Sequence, residues 1–176
     1  MTSGPRKLVG VLSDTHGKLD ERIPALFEGV YRIIHAGDIG DEDLIWRLES
    51  IAPVIAVRGN IDSPKMCFPT ERMAVIEGRT FYIRHQFSTV EQMTPAQKHV
   101  IEERMPEIVV FGHSHKAYVD EWRGTLFFNP GGAGPKRFNL PRTVGLITLK
   151  EDCIEPRIIN LENSSSCLAL VFSCIF

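Results

Sequence analysis

The sequence predicts an α/β layered domain in which at least two sheets share a core, and three observations predict it. Short Val- and Ile-rich runs recur along the chain, amphipathic segments with helical spacing separate the early ones, and from Glu107 onward strands follow one another through short turns. Alternating strand and helix favours a parallel sheet with crossover helices, whereas short turns favour antiparallel hairpins. With 176 residues, 43% of them apolar, the chain makes one globular domain with a sizeable core, expected over residues 1–162, followed by an apolar tail over 163–176.

The elements follow in order. "LVGVL" (residues 8–12) is the first strand. Asp20 caps a helix that puts Ile23, Leu26, Phe27 and Val30 on one face. "YRIIHA" (31–36) is the next strand, and Asp41 caps a helix carrying Leu44, Ile45, Leu48 and Ile51. "PVIAV" (53–57) and "FYIR" (81–84) are strands. At "TPAQ", Thr94 suits the cap, Pro95 the first helical position, and Gln97 the reciprocal position of a capping box. "EIVVF" (107–111), "TLFF" (125–128) and "TVGLITL" (143–149) complete the strands. After Leu161, a Ser-rich turn leads to ten uncharged residues, 167–176, too few to span a bilayer. They read as an added edge strand or as a docking or aggregation-prone tail, and Cys174, third from the end, is out of place for prenylation.

Composition excludes several classes. The net charge is −2 and the Lys and Arg residues are scattered, so no dedicated nucleic-acid-binding surface is expected. The first apolar run, five residues long, is too short for a signal-peptide core, which points to a cytoplasmic protein without a membrane segment. Cys67, Cys153, Cys167 and Cys174 show no C-x-x-C spacing, so buried or idle thiols are expected rather than structural zinc or a disulfide framework.

The polar residues fall in a telling place. "LVGVL" runs into "SDTHG" with Asp14 and His16; "IIHA" into "GDIGD" with Asp38; "VIAV" into "RGNID" with Asn60. "FYIR" is followed at once by His85, and "IVVF" by "GHSH" with His113 and His115. Sites in open α/β sheets assemble at the carboxyl ends of strands, so five strand ends carrying metal-competent side chains imply one site. Gly37, Gly59 and Gly112, each just before a candidate ligand, would let the backbone approach an ion closely. Two Asp, one Asn and four His without a thiolate suit Mn²⁺, Fe, Zn²⁺ or Ni²⁺ better than Ca²⁺. Seven ligands exceed the needs of one catalytic ion, whereas two ions sharing a carboxylate, about 3.5–4 Å apart, would account for them.

In order and spacing, "SDTHG", "HAGDI", "RGNID", the His after "FYIR", "GHSH" and "NPGG" resemble the motifs of calcineurin-like metallophosphoesterases, and most closely the small bacterial YfcE-type phosphodiesterases. The resemblance runs from Lys7 to Leu161. It implies a four-layer αββα sandwich of two mixed sheets flanked by helices. It implies that Asp14, His16 and His115 hold one divalent ion, that Asp38 bridges to a second, and that Asn60, His85 and His113 complete the second site. Two ions follow, Mn²⁺ as first choice with Fe, Zn²⁺, Ni²⁺ or Mg²⁺ as alternatives. The implied activity is hydrolysis of small phosphate esters, diesters first, by a hydroxide held between the ions, with Asn60 also acting directly on the phosphate.

Three departures stand out. Many larger relatives keep a His after "GN", thought to protonate the leaving group; here it is Ile61, which cannot donate a proton. Phe87 replaces the second His of a common "HGH", and Gly132 replaces the serine of "NPGS". Asn129 is expected to shape its loop, His35 to be core or supporting, and His99 to face solvent. Arg58 reads equally as a phosphate-steering group or a salt-bridge partner. Asp62 is expected either to orient a metal-binding His or to cap the next turn. The rival reading is a weakly catalytic or non-catalytic scaffold, since the same fold occurs as a subunit of the eukaryotic retromer coat. Self-association is left open.

Overall fold

The structure, a computed structural model, describes residues 6–137, 139–162 and 170–171. Two sheets are present. The first has six strands in the order β11-β10-β9-β1-β2-β3, and the second has five in the order β4-β5-β6-β8-β7. The first contains β1 (Lys7–Leu12), β2 (Arg32–His35), β3 (Val54–Ala56), β9 (Thr143–Leu149), β10 (Ile154–Asn160) and β11 (Leu170–Val171). The second contains β4 (Glu71–Ile76), β5 (Arg79–Arg84), β6 (Ile108–Val110), β7 (Tyr118–Trp122) and β8 (Thr125–Asn129). Helices α1 (Ile23–Leu26), α2 (Asp43–Glu49) and α3 (Pro95–Arg104) complete the fold.

Period-2 side-chain alternation builds the layers. In β1, Val9 and Val11 enter the core between the sheets, while Leu8 and Leu12 face the α1 and α2 layer with Ile23, Phe27, Leu44 and Leu48. In the second sheet, Phe81, Ile83, Ile108, Val110, Leu126 and Phe128 meet the first sheet. Tyr82, Val109 and Phe127 face outward, packing with Ile101 of α3. Three apolar clusters therefore separate four layers in the order helix, sheet, sheet, helix, the expected sandwich.

Strands β1, β2 and β3 are mutually parallel, as the strand–helix alternation requires. The expectation of antiparallel hairpins after Glu107 holds only in part. β7 pairs with β8 in an antiparallel hairpin, but β8 runs parallel to β6, because β7 takes the sheet edge and leaves β8 the place beside β6. Both hairpins of the second sheet turn on a pair with positive φ, Glu77–Gly78 and Arg123–Gly124, the backbone that a two-residue primed turn demands.

α3 starts with the anticipated capping box. The Gln97 N–H donates to Thr94 Oγ1 at 3.3 Å, and the Thr94 N–H donates to Gln97 Oε1 at 3.0 Å. Asp20 and Asp41, by contrast, are not the caps expected of them. Each accepts from the N–H two residues on, at Arg22 and Asp43, and so shapes a turn before a short helix. The edge strands β4 and β7, and β10 next to the first sheet's edge, lacked a run of β-branched residues strong enough to be seen. Cys153 is disulfide-bonded, correcting the expectation of buried or idle thiols; Cys67 is free and exposed. Of the tail, residues 163–169 and 172–176 lie outside the described residues, and Leu170–Val171 pair antiparallel with β10.

Candidate metal centre

Parallel strands deliver their carboxyl ends to one edge. Asp14 and His16 follow β1, Asp38 follows β2, and Asn60 follows β3. From the second sheet, His85 follows β5, and His113 and His115 follow β6, which runs parallel to it. Residues separated by a hundred positions thus converge where the two sheets meet.

Local backbone geometry is unusual there. Asp14, His16, Asp38, His113 and His115 all have positive φ, between 48° and 69°. For L-residues this conformation costs on the order of 1 kcal/mol each, so its clustering marks a place where surrounding packing holds the chain for another purpose. Two glycines show how tightly. A Cβ on Gly59 would stand 2.0 Å from Asp38 Oδ1, and one on Gly112 would stand 2.0 Å from Ser13 Oγ and 2.8 Å from Asp14 Oδ2. Any larger residue would push the loops apart.

Two groups of ligand-capable atoms form, Asp14 with His16 and His115, and Asp14 with Asp38 and His85. Asp14 Oδ1 is 3.3 Å from His115 Nε2 and 3.9 Å from His85 Nε2. The Asp38 carboxylate reaches both groups, with Oδ1 3.2 Å from His85 Nε2 and Oδ2 3.9 Å from His16 Nε2. His16 and His115 stack at 5.2 Å, their Nε2 atoms 3.4 Å apart. His113 stands outside both groups, its ring edge-on to His85 at 5.4 Å. Asn60 is exposed, beside Ile61, whose N–H donates to Asp38 Oδ1 at 3.1 Å.

The donor set fits a cation. His85 Nδ1 donates to the Ala36 carbonyl at 2.8 Å, which in the neutral ring leaves Nε2 a bare lone pair. That lone pair faces two carboxylate oxygens, and both His85 Nε2 and Asp14 Oδ1 are buried with no hydrogen-bond partner. Converging acceptors without a donor are costly unless a positive ion lies among them.

Residues 8–152 match the calcineurin-like phosphoesterase superfamily domain. The chain belongs to this family. A probable metallophosphoesterase of Methanocaldococcus jannaschii is 28% identical over 165 residues, covering 90% of this chain and 84% of that protein. A protein of the same organism named as a phosphodiesterase is 26% identical over 159 residues, covering 79% of this chain and 91% of that protein. Among solved structures, vacuolar protein sorting 29 from Cryptosporidium parvum superposes with a TM-score of 0.80 at 21% identity, covering 96% of this chain and 98% of that one. This last likeness speaks to the fold.

In this metallophosphoesterase the loops are tied by residues whose roles the sequence left open. Asp62, buried, accepts three backbone N–H groups: Ile39 at 3.0 Å, Gly40 at 2.8 Å and Gly59 at 2.7 Å. It therefore clamps the Asp38 loop to the Asn60 loop and orients no histidine. Asn129 Nδ2 donates to the Gly112 carbonyl at 2.9 Å while its Oδ1 accepts from Gly131, so it shapes the "GHSH" and "NPGG" loops together. His35 accepts from the Gly37 N–H at Nδ1 and lies 2.8 Å from Thr15 Oγ1 through Nε2. Thr15 in turn donates to the Ile39 carbonyl. Its burial pulls the His35 pKa down to about 3, so a neutral His35 serves as a strut in the core. His99 is exposed as expected, and Phe87 packs with Tyr82, Phe111 and Phe127 rather than facing the site.

Electrostatics separates the groups. Burial pushes the Asp14 carboxyl up to about 6 despite the opposing charge of His85. Burial pulls His115 down to about 4, helped by His16 and Arg137. Burial also works against ionisation of Asp38 and His85. Their close approach, 3.2 Å from Nε2 to Oδ1, and opposite charges outweigh it, holding Asp38 below and His85 above their ordinary ranges. A cavity of about 520 Å³ lies at the opposite end of β1 beside Lys7, Glu77, Arg79 and Lys150. Arg79 there is committed to Glu107 and to the carbonyls of Lys150 and Glu151.

Proposed function

We propose that this metallophosphoesterase is a cytoplasmic dinuclear phosphodiesterase, carried by one domain over residues 1–162 and acting on small phosphate esters. The observation that supports it most is the convergence of unpartnered Asp14 Oδ1 and His85 Nε2 on the Asp38 carboxylate. In this reading Asp14, His16 and His115 would hold one ion and Asp38 would serve both. His85, His113 and Asn60 would hold the other, with Mn²⁺ the first choice for both. Bound divalent ions there supply a nucleophile at neutral pH and neutralise charge developing on the phosphoryl group. The exposed Asn60 amide donates to a phosphoryl oxygen, and Asp38 is held in place through Ile61 N–H.

Ile61 is 50% exposed at the mouth and offers the leaving group an apolar contact but no proton. Activated aryl diesters should therefore be hydrolysed faster than alkyl monoesters. The deciding assay follows bis(p-nitrophenyl) phosphate after chelation and after adding back Mn²⁺, with an alkyl monophosphate alongside. Turnover restored by Mn²⁺ and strongest on the aryl diester is expected; metal-independent turnover would sink the proposal. Ile61→His should raise alkyl-ester turnover, by roughly 10- to 100-fold if the new imidazole reaches the leaving oxygen. Equal rates on alkyl esters before and after the change would mean that the missing donor does not set the preference.

Metal loading should also compete with protons, because ligands bind deprotonated. With Asp14 at about 6, Mn²⁺ affinity is expected to rise with pH between 5 and 6, by roughly tenfold per pH unit for each proton displaced. Calorimetric titrations across that window test it, and a flat profile would remove Asp14 from the ligand set.

No helix among the described residues is long and apolar enough to cross a membrane. The fold shared with vacuolar protein sorting 29 supports a second reading, a protein-binding scaffold. Two bound ions without any hydrolysis would favour it.

A further inference from the structure

Arg137 is exposed in the connection between β8 and β9, five residues beyond the buried Gly132, and its Nη2 is 3.4 Å from His16 Nδ1. Its neighbours in the fold are committed elsewhere. Lys136 pairs with Glu162, and Arg142 pairs with Asp20 and Glu162. Among the described residues, no carboxylate lies in salt-bridge range of Arg137. A guanidinium has donors only, and here it points at a site rich in imidazoles, where its charge helps to pull down the pKa values of His16 and His115.

The contact with His16 is incompatible with a loaded site. His16 Nε2 is the nitrogen that faces His115 and Asp38. If that nitrogen binds an ion, the one proton of the neutral ring must sit on Nδ1, and Arg137 then meets a donor instead of an acceptor. The guanidinium would be left at the rim of a cationic centre without a partner. An anion is the missing acceptor, and a guanidinium makes strong charge-assisted hydrogen bonds to a phosphate oxygen.

We propose that Arg137 is a substrate-binding residue that takes a non-bridging phosphoryl oxygen of a phosphodiester monoanion as the ester enters over His16. The inference rests on the phosphoesterase reading. It adds a specificity: the diester keeps one non-bridging oxygen for the ions and gives the other to Arg137, while Ile61 at the Asp38 edge meets the ester's apolar group.

The test uses Mn²⁺-loaded wild type, Arg137→Ala and Arg137→Lys. Bound Mn²⁺, inorganic phosphate affinity by calorimetry, and kcat and KM for bis(p-nitrophenyl) phosphate are measured on each. Loss of a charge-assisted contact should weaken phosphate binding and raise KM by roughly 10- to 100-fold in Arg137→Ala, with metal content unchanged and part of the effect restored by Lys. Unchanged phosphate affinity in loaded Arg137→Ala would overturn the proposal. So would loss of Mn²⁺ from that variant, since it would make Arg137 a support for His16. If wild type binds Mn²⁺ but hydrolyses nothing, the enzyme reading fails separately, and Arg137-dependent phosphate binding would still support the anion clamp.

Discussion

Asp38→Asn is expected to lower turnover of an activated aryl phosphodiester by about 10³-fold or more and to reduce bound Mn²⁺. The two oxygens of the Asp38 carboxylate face different candidate ligands, Oδ1 toward His85 at 3.2 Å and Oδ2 toward His16 at 3.9 Å. An amide of the same shape keeps one acceptor for the Ile61 N–H but offers a neutral oxygen and an NH₂ in place of a shared anion. Losing or misplacing one ion removes several kcal/mol of transition-state stabilisation, which is about 10³-fold in rate. Metal analysis by mass spectrometry, run beside the kinetics, separates loss of an ion from misplacement. A melting curve close to that of wild type is the control for folding. Turnover within tenfold of wild type, at equal metal content, would show that Asp38 is not shared between ions.

The second large effect is expected at a residue that touches no candidate ligand side chain. Asp62→Ala strips the acceptor from Ile39, Gly40 and Gly59 at once. Each backbone N–H left unpaired in a buried place costs about 1–3 kcal/mol, so destabilisation on the order of 3 kcal/mol or more should appear in denaturant titration. The same bonds hold the Asp38 loop against the Asn60 loop, so affinity for Mn²⁺ should fall about 10- to 100-fold, as it does when supporting contacts of metal ligands are removed. Asp62→Asn retains one acceptor and should fall between the two. An Asp62→Ala protein as stable as wild type and with unaltered metal affinity would mean that the loops hold themselves.

Much of this was readable one residue at a time. The D-x-H after β1, the Asp after β2, the GN after β3 and the histidines after β5 and β6 were all legible because apolar runs stop where the polar residues begin. The glycines before Asp38, Asn60 and His113 were legible too, and the clash a Cβ on Gly59 or Gly112 would make gives the reason. Less was visible where contacts are backbone-mediated. Nothing in "RGNID" says that Asp62 serves three N–H groups from two segments, because backbone donors have no sequence identity. Arg137 went unnoticed because an arginine in a Gly- and Pro-containing loop resembles any solvated charge; only its distance to His16 singles it out.

The fold divides in the same way. By itself, the sequence determined the α/β class, the strand-end placement of Asp14, His16, Asp38, Asn60, His85, His113 and His115, and the nitrogen–oxygen character of the site. These follow from local periodicity and side-chain chemistry, which each segment carries with it. Tertiary structure alone decided that β8 lies parallel to β6, that Asp14 sits within reach of both His85 and His115, that Asp62 ties two loops, and that Arg137 faces His16. Those are pairings between distant segments, chosen by how two sheets stack and which buried polar atoms are left to satisfy one another, and no single stretch of chain encodes its partner.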